Sequence, residues 1–388
     1  MLNLTEEQKS RLTGVRHFVK EVIAPRSAEV DRKQEFPLDL KEKMADQGLF
    51  RLIIPKSSGG MELNLTDLCL VIEEVSRVDA SMGVTVQGHA TALRPLILAA
   101  SAELKGEMFP MVVKEKKAIG FAITESNAGS DSSGIQTSAI LREGNYFLNG
   151  SKCFITSGGI ADYYLVYAVT SIEKKHTGVS AFIVDGTSKG FSIGKKESKM
   201  GIRASPTTDL VFEDVMVPIS RLVGKEGEGF LILMKTLEAS RPTIGAQALG
   251  IAEGALECAI QFARETVQLG KPLIEQQGIQ FMLAEMATQV EAARALLYQV
   301  TGMYDQHVQP IAAYSAMSKY FASDVAMRVT TDAVQVMGGR GYLKQYPAER
   351  MMRDAKVTQI YEGTNQIQRL VIARAIMKLD YSSLYRME

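Results

Sequence analysis

Near the C-terminal end of the sequence, Gln359-Ile360-Tyr361-Glu362-Gly363-Thr364-Asn365-Gln366 places a carboxylate between an aromatic ring and a glycine, at the junction of two helix-like segments. A carboxylate in such a turn can be aimed into a cavity. Apolar walls would raise its pKa toward neutrality, where a general base works best. On its own the stretch reads more readily as a helix junction with a solvated Glu. Three more polar patches carry chemical potential. Thr124-Glu125 with Ala128-Gly129-Ser130-Asp131 offers small residues that let backbone amides approach an anion or a carbonyl. Phe154-Ile155-Thr156-Ser157 puts an aromatic and a hydroxyl two residues apart, on one strand face, suited to covering a planar ligand and bonding its edge. Gln335-Val336-Met337-Gly338-Gly339 ends a helix in glycines and exposed backbone. Taken singly, these read as a surface turn, a half-buried strand and a helix cap.

These patches must be held by something. The chain has 388 residues, enough for two or three domains, with 46% hydrophobic and 23% charged residues. Forty-four basic residues balance 44 acidic ones, so no global field attracts nucleic acid or an acidic membrane. Cys69, Cys153 and Cys258 lie far apart and the four histidines are scattered, which speaks against a disulfide framework and a built-in metal site. No run reaches the length of a membrane span and the N-terminus has no targeting pattern, so a cytoplasmic location, or the mature form of an imported protein, is expected. A Gly-x-Ser-x-Gly elbow, a Walker loop and a strand-linked GxGxxG are absent, against a serine hydrolase, a P-loop nucleotidase or a Rossmann dehydrogenase.

Periodicity predicts helices over 5–30, capped by Thr5 with Gln8 and interrupted at Pro25, then over 37–48, 64–78 and 90–114. From residue 118 strand-like runs take over: 121–125, 145–148, 152–156, 163–170, 179–184 and 208–217, with Asn149-Gly150 read as a two-residue hairpin. Long helices return over 227–268, 274–307, 311–337 and 364–380. The expected fold is therefore mainly α with a central all-β domain: an N-terminal helical domain (1–118), a middle β-barrel or sandwich (119–226) and a C-terminal antiparallel helix bundle (227–388).

The patches and this domain order together resemble the acyl-CoA dehydrogenase family, essentially from end to end. Thr124-Glu125…Ala128-Gly129-Ser130-Asp131 and Tyr361-Glu362-Gly363-Thr364 match its signature stretches. The resemblance implies FAD, an acyl-CoA substrate, an electron-transfer flavoprotein as acceptor and a homotetramer built as a dimer of dimers. It implies Glu362 as the base that takes the α-proton while hydride passes to flavin N5, the Glu362 N–H helping to hold the thioester carbonyl. Phe121, Ile123, Thr124, Gly129, Ser130, Phe154, Ile155 and Thr156 would line the flavin. Gln277, Gln335, Gly338 and Gly339 would hold FAD from a neighbouring subunit, and Thr364 and Gln366 would contact it after the base. Ser130, Ser205, Glu238, Arg241, Tyr361, Gly363 and Arg374 match substrate-contacting positions.

Several departures from the family pattern matter. Thr266 and Leu269 stand where an Arg and a Phe are common, which would weaken FAD retention unless Arg264 or Lys271 compensates. Ser126 replaces a frequent Pro. Ser240 occupies a position where some members carry their base, which favours Glu362. His89, Thr91 and Arg94 fall where the acyl pocket is partly built and are polar for a long straight chain. Two readings follow: a short, branched, cyclic or polar-tailed acyl group, or a helix face turned to solvent. Two other functions remain open on the same scaffold, a flavin oxidase or monooxygenase and a nucleic-acid-associated relative with vestigial flavin chemistry. The Glu of Tyr-Glu-Gly-Thr counts against the first and the zero net charge against the second.

Overall fold

A computed structural model describes residues 4–378, and of Lys175 and His176 the backbone alone. The last two residues of the helix expected over 364–380, and the chain ends of the first and third domains, lie outside the described residues.

The N-terminal third is helical. Helix α1 (Glu6–Phe18) starts at a capping box in which Thr5 Oγ1 accepts the Gln8 N–H and Gln8 Oε1 accepts the Thr5 N–H, at 3.2 and 2.9 Å. Pro25 does not end the path. The backbone widens into a π turn over Val19–Ile23 and tightens into a 3-10 turn over Ala24–Arg26 before α2 (Ser27–Lys33) resumes. Helices α3 (Leu38–Asp46), α4 (Leu65–Ser76), α5 (Ala80–Ala99) and α6 (Ala102–Val113) follow.

The single helix expected over 90–114 is in fact the end of α5 and the whole of α6. Ser101 breaks it by accepting the Leu104 N–H as an N-cap, with Ala100 extended. The true start of α5 is Asp79, whose carboxylate caps Ser81 and Met82. Residues Ala80–Gln87 are all buried, so the first turns carry no amphipathic period to read.

The middle region forms one eight-stranded sheet: β1 (Ile119–Ala122), β2 (Ser138–Arg142), β3 (Asn145–Thr156), β4 (Tyr163–Val169), β5 (Val179–Asp185), β6 (Phe191–Lys196), β7 (Thr207–Pro218) and β8 (Leu222–Val223). Its order is β6-β7-β3-β2-β4-β5-β8, with β1 parallel to β4. The Asn149-Gly150 hairpin is overturned. Both residues sit inside β3, at a bulge against β7. The tight turn lies six residues earlier, where Arg142 pairs with Asn145 and Glu143-Gly144 both have positive φ (49° and 79°). Gly150 is needed for a different reason: its φ is 142° and a Cβ there would come within 2.8 Å of Thr137.

The C-terminal bundle comprises α7 (Gly229–Glu265), α8 (Gln277–Asp305), α9 (Ile311–Met337), α10 (Ala348–Thr358) and α11 (Asn365–Lys378). Helix α7 packs against α4 and α5 of the N-terminal region and against α8, α9 and α10 of the bundle. That position explains why Ala239–Ala252 is buried without a break. One large core runs through both helical regions and a second, around Tyr146, Phe182 and Phe212, fills the sheet.

Candidate active site

Between α10 and α11 the chain reverses in six residues. Glu362 takes a left-handed conformation with φ 54° and Gly363 follows at 88°. A left-handed non-glycine residue is strained by about 1–3 kcal/mol and persists only where its surroundings over-determine it. Here they do. Gln368 Nε2 donates to the carbonyls of Glu362 (3.0 Å) and Gly363 (2.8 Å), and Lys319 Nζ donates to Gly363 O at 2.9 Å. The Tyr361 hydroxyl donates to Gln247 Oε1 on α7. The Glu362 carboxylate accepts the Ser240 hydroxyl at 2.9 Å. Burial drives the Glu362 pKa upward. The Ser240 bond and the charges of Arg241 and Lys319 pull it back without cancelling the rise. Arg241 is itself buried, and its Nε has no partner among the described residues.

Glu362 lines a cavity of about 390 Å³. Its floor comes from the sheet region: Phe121, Ile123, Thr124, Gly129, Ser130, Phe154, Ile155 and Thr156. Val84, Gln87 and Gly88 come from α5, Phe230, Leu233, Met234, Leu237 and Arg241 from α7, and Tyr361, Gly363, Ile367 and Arg374 from the junction and α11. Three patches far apart in sequence thus share one space.

Two local devices shape the floor. Between Lys152 and Ile155 the β3–β7 register slips, and Phe154 adopts φ 58°, so its ring stands 63% exposed instead of entering the sheet core. The bulge, rather than simple alternation, is what puts Phe154 beside Thr156. The Thr124 loop is tied down by Glu125, whose carboxylate accepts the N–H of Gln136 (2.6 Å) and Thr137 (3.0 Å) and the ammonium of Lys152 (2.7 Å). Lys152 has no exposed surface, and burial lowers its pKa to about 8 despite the Glu125 charge.

Other expected site residues lie elsewhere. Thr364 and Gln366 face a neighbouring groove of about 620 Å³ with Asp324, Arg328 and Arg369. Gln277 begins α8 and Gln335, Gly338 and Gly339 close α9, outside the cavity lining, where a Cβ on either glycine would meet nothing within 4 Å. Ser205 is buried and Glu238 half-buried, and neither lines the cavity. Thr266 caps the end of α7, and Leu269 is 93% exposed on the short ribbon that follows.

On the polar face of α5, His89 and Thr91 are buried and Arg94 is half-buried. His89 is buried between α5 and β1, its Nδ1 accepting the Ile119 N–H at 3.0 Å. Its proton is therefore on Nε2, which donates to Phe50 O at 2.8 Å. Burial lowers its pKa to about 4, so it is a neutral strut and not a pocket residue. Gln87 does line the cavity. Its Nε2 donates to Thr91 Oγ1 (2.9 Å) on α5 and Thr243 Oγ1 (3.2 Å) on α7.

Gln87 opens the stretch 87–94 expected to build part of the acyl pocket, and it does line the cavity; sequence reasoning missed Gln247, Lys319 and Gln368 as site residues. Lys319 had a readable signal: it falls on the small-residue stripe Ala316, Lys319, Ser323, Ala326, Thr330 of α9, all buried, where an unpartnered charge would be costly. Among the described residues no cluster of His, Cys, Asp or Glu could hold a metal ion, and no helix is long and apolar enough to cross a membrane.

Three family models match the chain in order: "Acyl-CoA dehydrogenase, N-terminal domain" over 5–116, "middle domain" over 120–215 and "C-terminal domain" over 227–377. Cyclohexane-1-carbonyl-CoA dehydrogenase of Geobacter metallireducens is 44% identical over 380 residues, 97% of this chain and 99% of the relative. Butyryl-CoA dehydrogenase of Megasphaera elsdenii superposes with a TM-score of 0.94 at 41% identity, covering 97% of this chain and all of that one. A chain from a structure described as "Electron transferring flavoprotein of Acidaminococcus fermentans: Towards a mechanism of flavin-based electron bifurcation" gives 0.95 at 43% identity, covering 98% and 100%.

Proposed function

This chain belongs to the acyl-CoA dehydrogenase family, and from that premise we propose that it oxidises a compact acyl-CoA to the 2-enoyl-CoA, with Glu362 as the base, FAD in the 390 Å³ cavity and an electron-transfer flavoprotein as acceptor. The observation that carries this reading is that the Glu362 carboxylate and both sheet patches, Thr124–Ser130 and Phe154–Thr156, border the same space. That space suits a flat ring system. Phe154 offers an exposed aromatic face, Gly129 leaves room where a Cβ would meet nothing within 4 Å, and Thr156 and Thr124 supply hydroxyls. FAD, when bound, supplies the acceptor for the β-hydride.

The rest of the chemistry belongs to side chains of this chain. The thioester carbonyl makes the α-hydrogen weakly acidic, and Glu362 takes it as a proton. Burial makes the carboxylate a stronger base, while Ser240, Arg241 and Lys319 keep it from becoming permanently protonated. The Glu362 N–H is the proposed donor to the carbonyl oxygen as its charge grows. Arg241 and Arg374, on the cavity wall, are the proposed CoA-side cations, with Ser130, Tyr361 and Gly363 beside the thioester. Gln277, Gln335, Gly338 and Gly339 would serve the FAD of a neighbouring subunit in a tetramer, and Thr364 and Gln366 the same subunit's FAD through the adjoining groove. Ser205 and Glu238 stay as proposed CoA contacts at the periphery.

A compact acyl group is supported by the Gln87–Thr91–Thr243 bar. These three side chains, 3–4% exposed, cross from α5 to α7 at the cavity wall. Behind the bar, bordered by Thr91, Arg94, Ser240 and Thr243, only about 10 Å³ is open. A long chain entering there would have to break paired polar groups. The relatives named for butyryl-CoA and cyclohexane-1-carbonyl-CoA agree with this size. The test is a substrate panel with an electron-transfer flavoprotein as acceptor. Butyryl-CoA and small branched or cyclic acyl-CoAs are expected to outrun octanoyl-CoA in kcat/KM. Best activity on unbranched chains of eight or more carbons contradicts the compact pocket. Gln87→Ala should raise the octanoyl-to-butyryl ratio by about tenfold or more, and an unchanged ratio would remove the bar as the size filter.

A further inference from the structure

We infer that Lys319 is a positioning residue for the base: from α9 it fixes the Glu362-Gly363 turn and supplies a positive charge that keeps the Glu362 carboxylate ready to accept a proton. The inference rests on the proposed role of Glu362 and adds a residue that does not itself border the cavity.

Lys319 has no exposed surface. Its Nζ donates to Gly363 O at 2.9 Å and to Asn365 Oδ1 at 2.9 Å, one residue after the base and the first residue of α11. Asn365 is in turn held by its Nδ2, which donates to Ser323 Oγ (2.9 Å) and Asp324 Oδ1 (2.8 Å), both on α9. Gln359, just before the turn, donates to the same Asp324 oxygen at 2.6 Å. Both ends of the α10–α11 junction are thus pinned to one face of α9, and Lys319 is the member of that set that reaches the turn itself. Without it, Gly363 O would keep only Gln368, and a half-buried acceptor on a strained turn would lose a charge-assisted bond.

The charge has a separate role. Charged groups acting on Lys319 are Glu362 from the junction, Asp324 further along α9 and Arg241 from α7. Burial lowers the Lys319 pKa to about 7, with Glu362 and Asp324 pulling upward and Arg241 downward. A neutral amine still has two N–H groups, enough for Gly363 O and Asn365 Oδ1. Deprotonation therefore spares the turn but removes a charge that favours ionised Glu362. Geometry and charge can be separated by substitution. Lys319→Met removes both. Lys319→Gln keeps an amide donor and removes the charge.

The measurement is the stopped-flow rate of flavin reduction by saturating butyryl-CoA across pH 5.5 to about 9, on FAD-loaded protein checked by its absorbance spectrum. Lys319→Met is expected to lower the plateau rate about 10²-fold, as a base displaced by about 1 Å would. Its acidic limb should also move to higher pH, making it about tenfold slower still at the acid end. Lys319→Gln should show the moved limb with a smaller loss of plateau rate, and it carries the test alone if Lys319→Met does not fold. An acidic limb unmoved in the folded variants overturns the charge role. A plateau within threefold of wild type in Lys319→Met overturns the positioning role. Glu362→Gln is measured alongside. If it still reduces flavin, the base assignment fails; if it is silent while both Lys319 variants match wild type, the Lys319 inference alone fails.

Discussion

Glu362→Gln is expected to slow flavin reduction by acyl-CoA at least about 10³-fold while the protein stays yellow and still binds the thioester. The amide keeps the shape of the side chain, and its carbonyl oxygen can accept the Ser240 hydroxyl that Glu362 accepts at 2.9 Å. What it loses is the ability to take a proton. The turn is held mainly through main-chain carbonyls, by Gln368 and Lys319, so the substitution leaves those bonds in place. Rapid-mixing absorbance separates the outcomes: unchanged ligand-induced spectral shifts with no bleaching support the assignment, and bleaching at near wild-type rate places the base elsewhere.

The second large effect is structural. Glu125→Leu is expected to lower stability by about 3–5 kcal/mol, because it strands the ammonium of Lys152, a residue with no exposed surface. It also frees the N–H groups of Gln136 and Thr137, which hold the loop under Thr124. The double variant Glu125→Leu/Lys152→Met should recover much of the loss, since neither charge then needs solvation. A urea melt at pH 7 checks both; a single variant within about 0.5 kcal/mol of wild type would show that water reaches Lys152. The pH dependence has a definite sign. Burial raises the Glu125 pKa, but the Lys152 charge and the hydrogen bonds outweigh it, leaving the carboxyl below its ordinary value. Its stabilising contribution is therefore present above the unfolded-state pKa and is lost as pH falls through the folded-state one.

What was legible in the sequence followed from periodicity and from motif residues. Helix α9 was expected over 311–337 and ends at those residues, because its apolar stripe and its closing glycines both mark it. Helix α5 was misread because its first turns are buried all round and leave no period. Asn149-Gly150 carried the stronger hairpin signal, yet Glu143-Gly144 makes the turn. The two stretches share a polar residue followed by glycine, and sheet pairing with β7 across Asn149 and Gly150 decided between them. The two sheet patches and Glu362 were named as one site from their motifs, and they border one cavity. Residues that support that site from behind were mostly not legible. Gln247 and Gln368 touch the junction only through contacts 5 to 114 positions away in sequence, and nothing local marks them; Lys319 is marked only by its place on the buried stripe of α9. His89 shows the converse: a polar residue in the right stretch that proves to be a strut, because burial and two main-chain partners fix it as neutral.

The central claim is that Glu362 and the cavity it borders carry out α,β-dehydrogenation of an acyl-CoA. Anaerobic titration of the FAD-loaded wild-type protein with butyryl-CoA, followed by flavin absorbance with mass analysis of the thioester, tests it most directly. The account predicts bleaching of the oxidised flavin band as substrate is added, with appearance of a thioester two mass units lighter. A flavin that stays oxidised across a panel of short, branched and cyclic acyl-CoAs, with every thioester recovered unchanged, would contradict it.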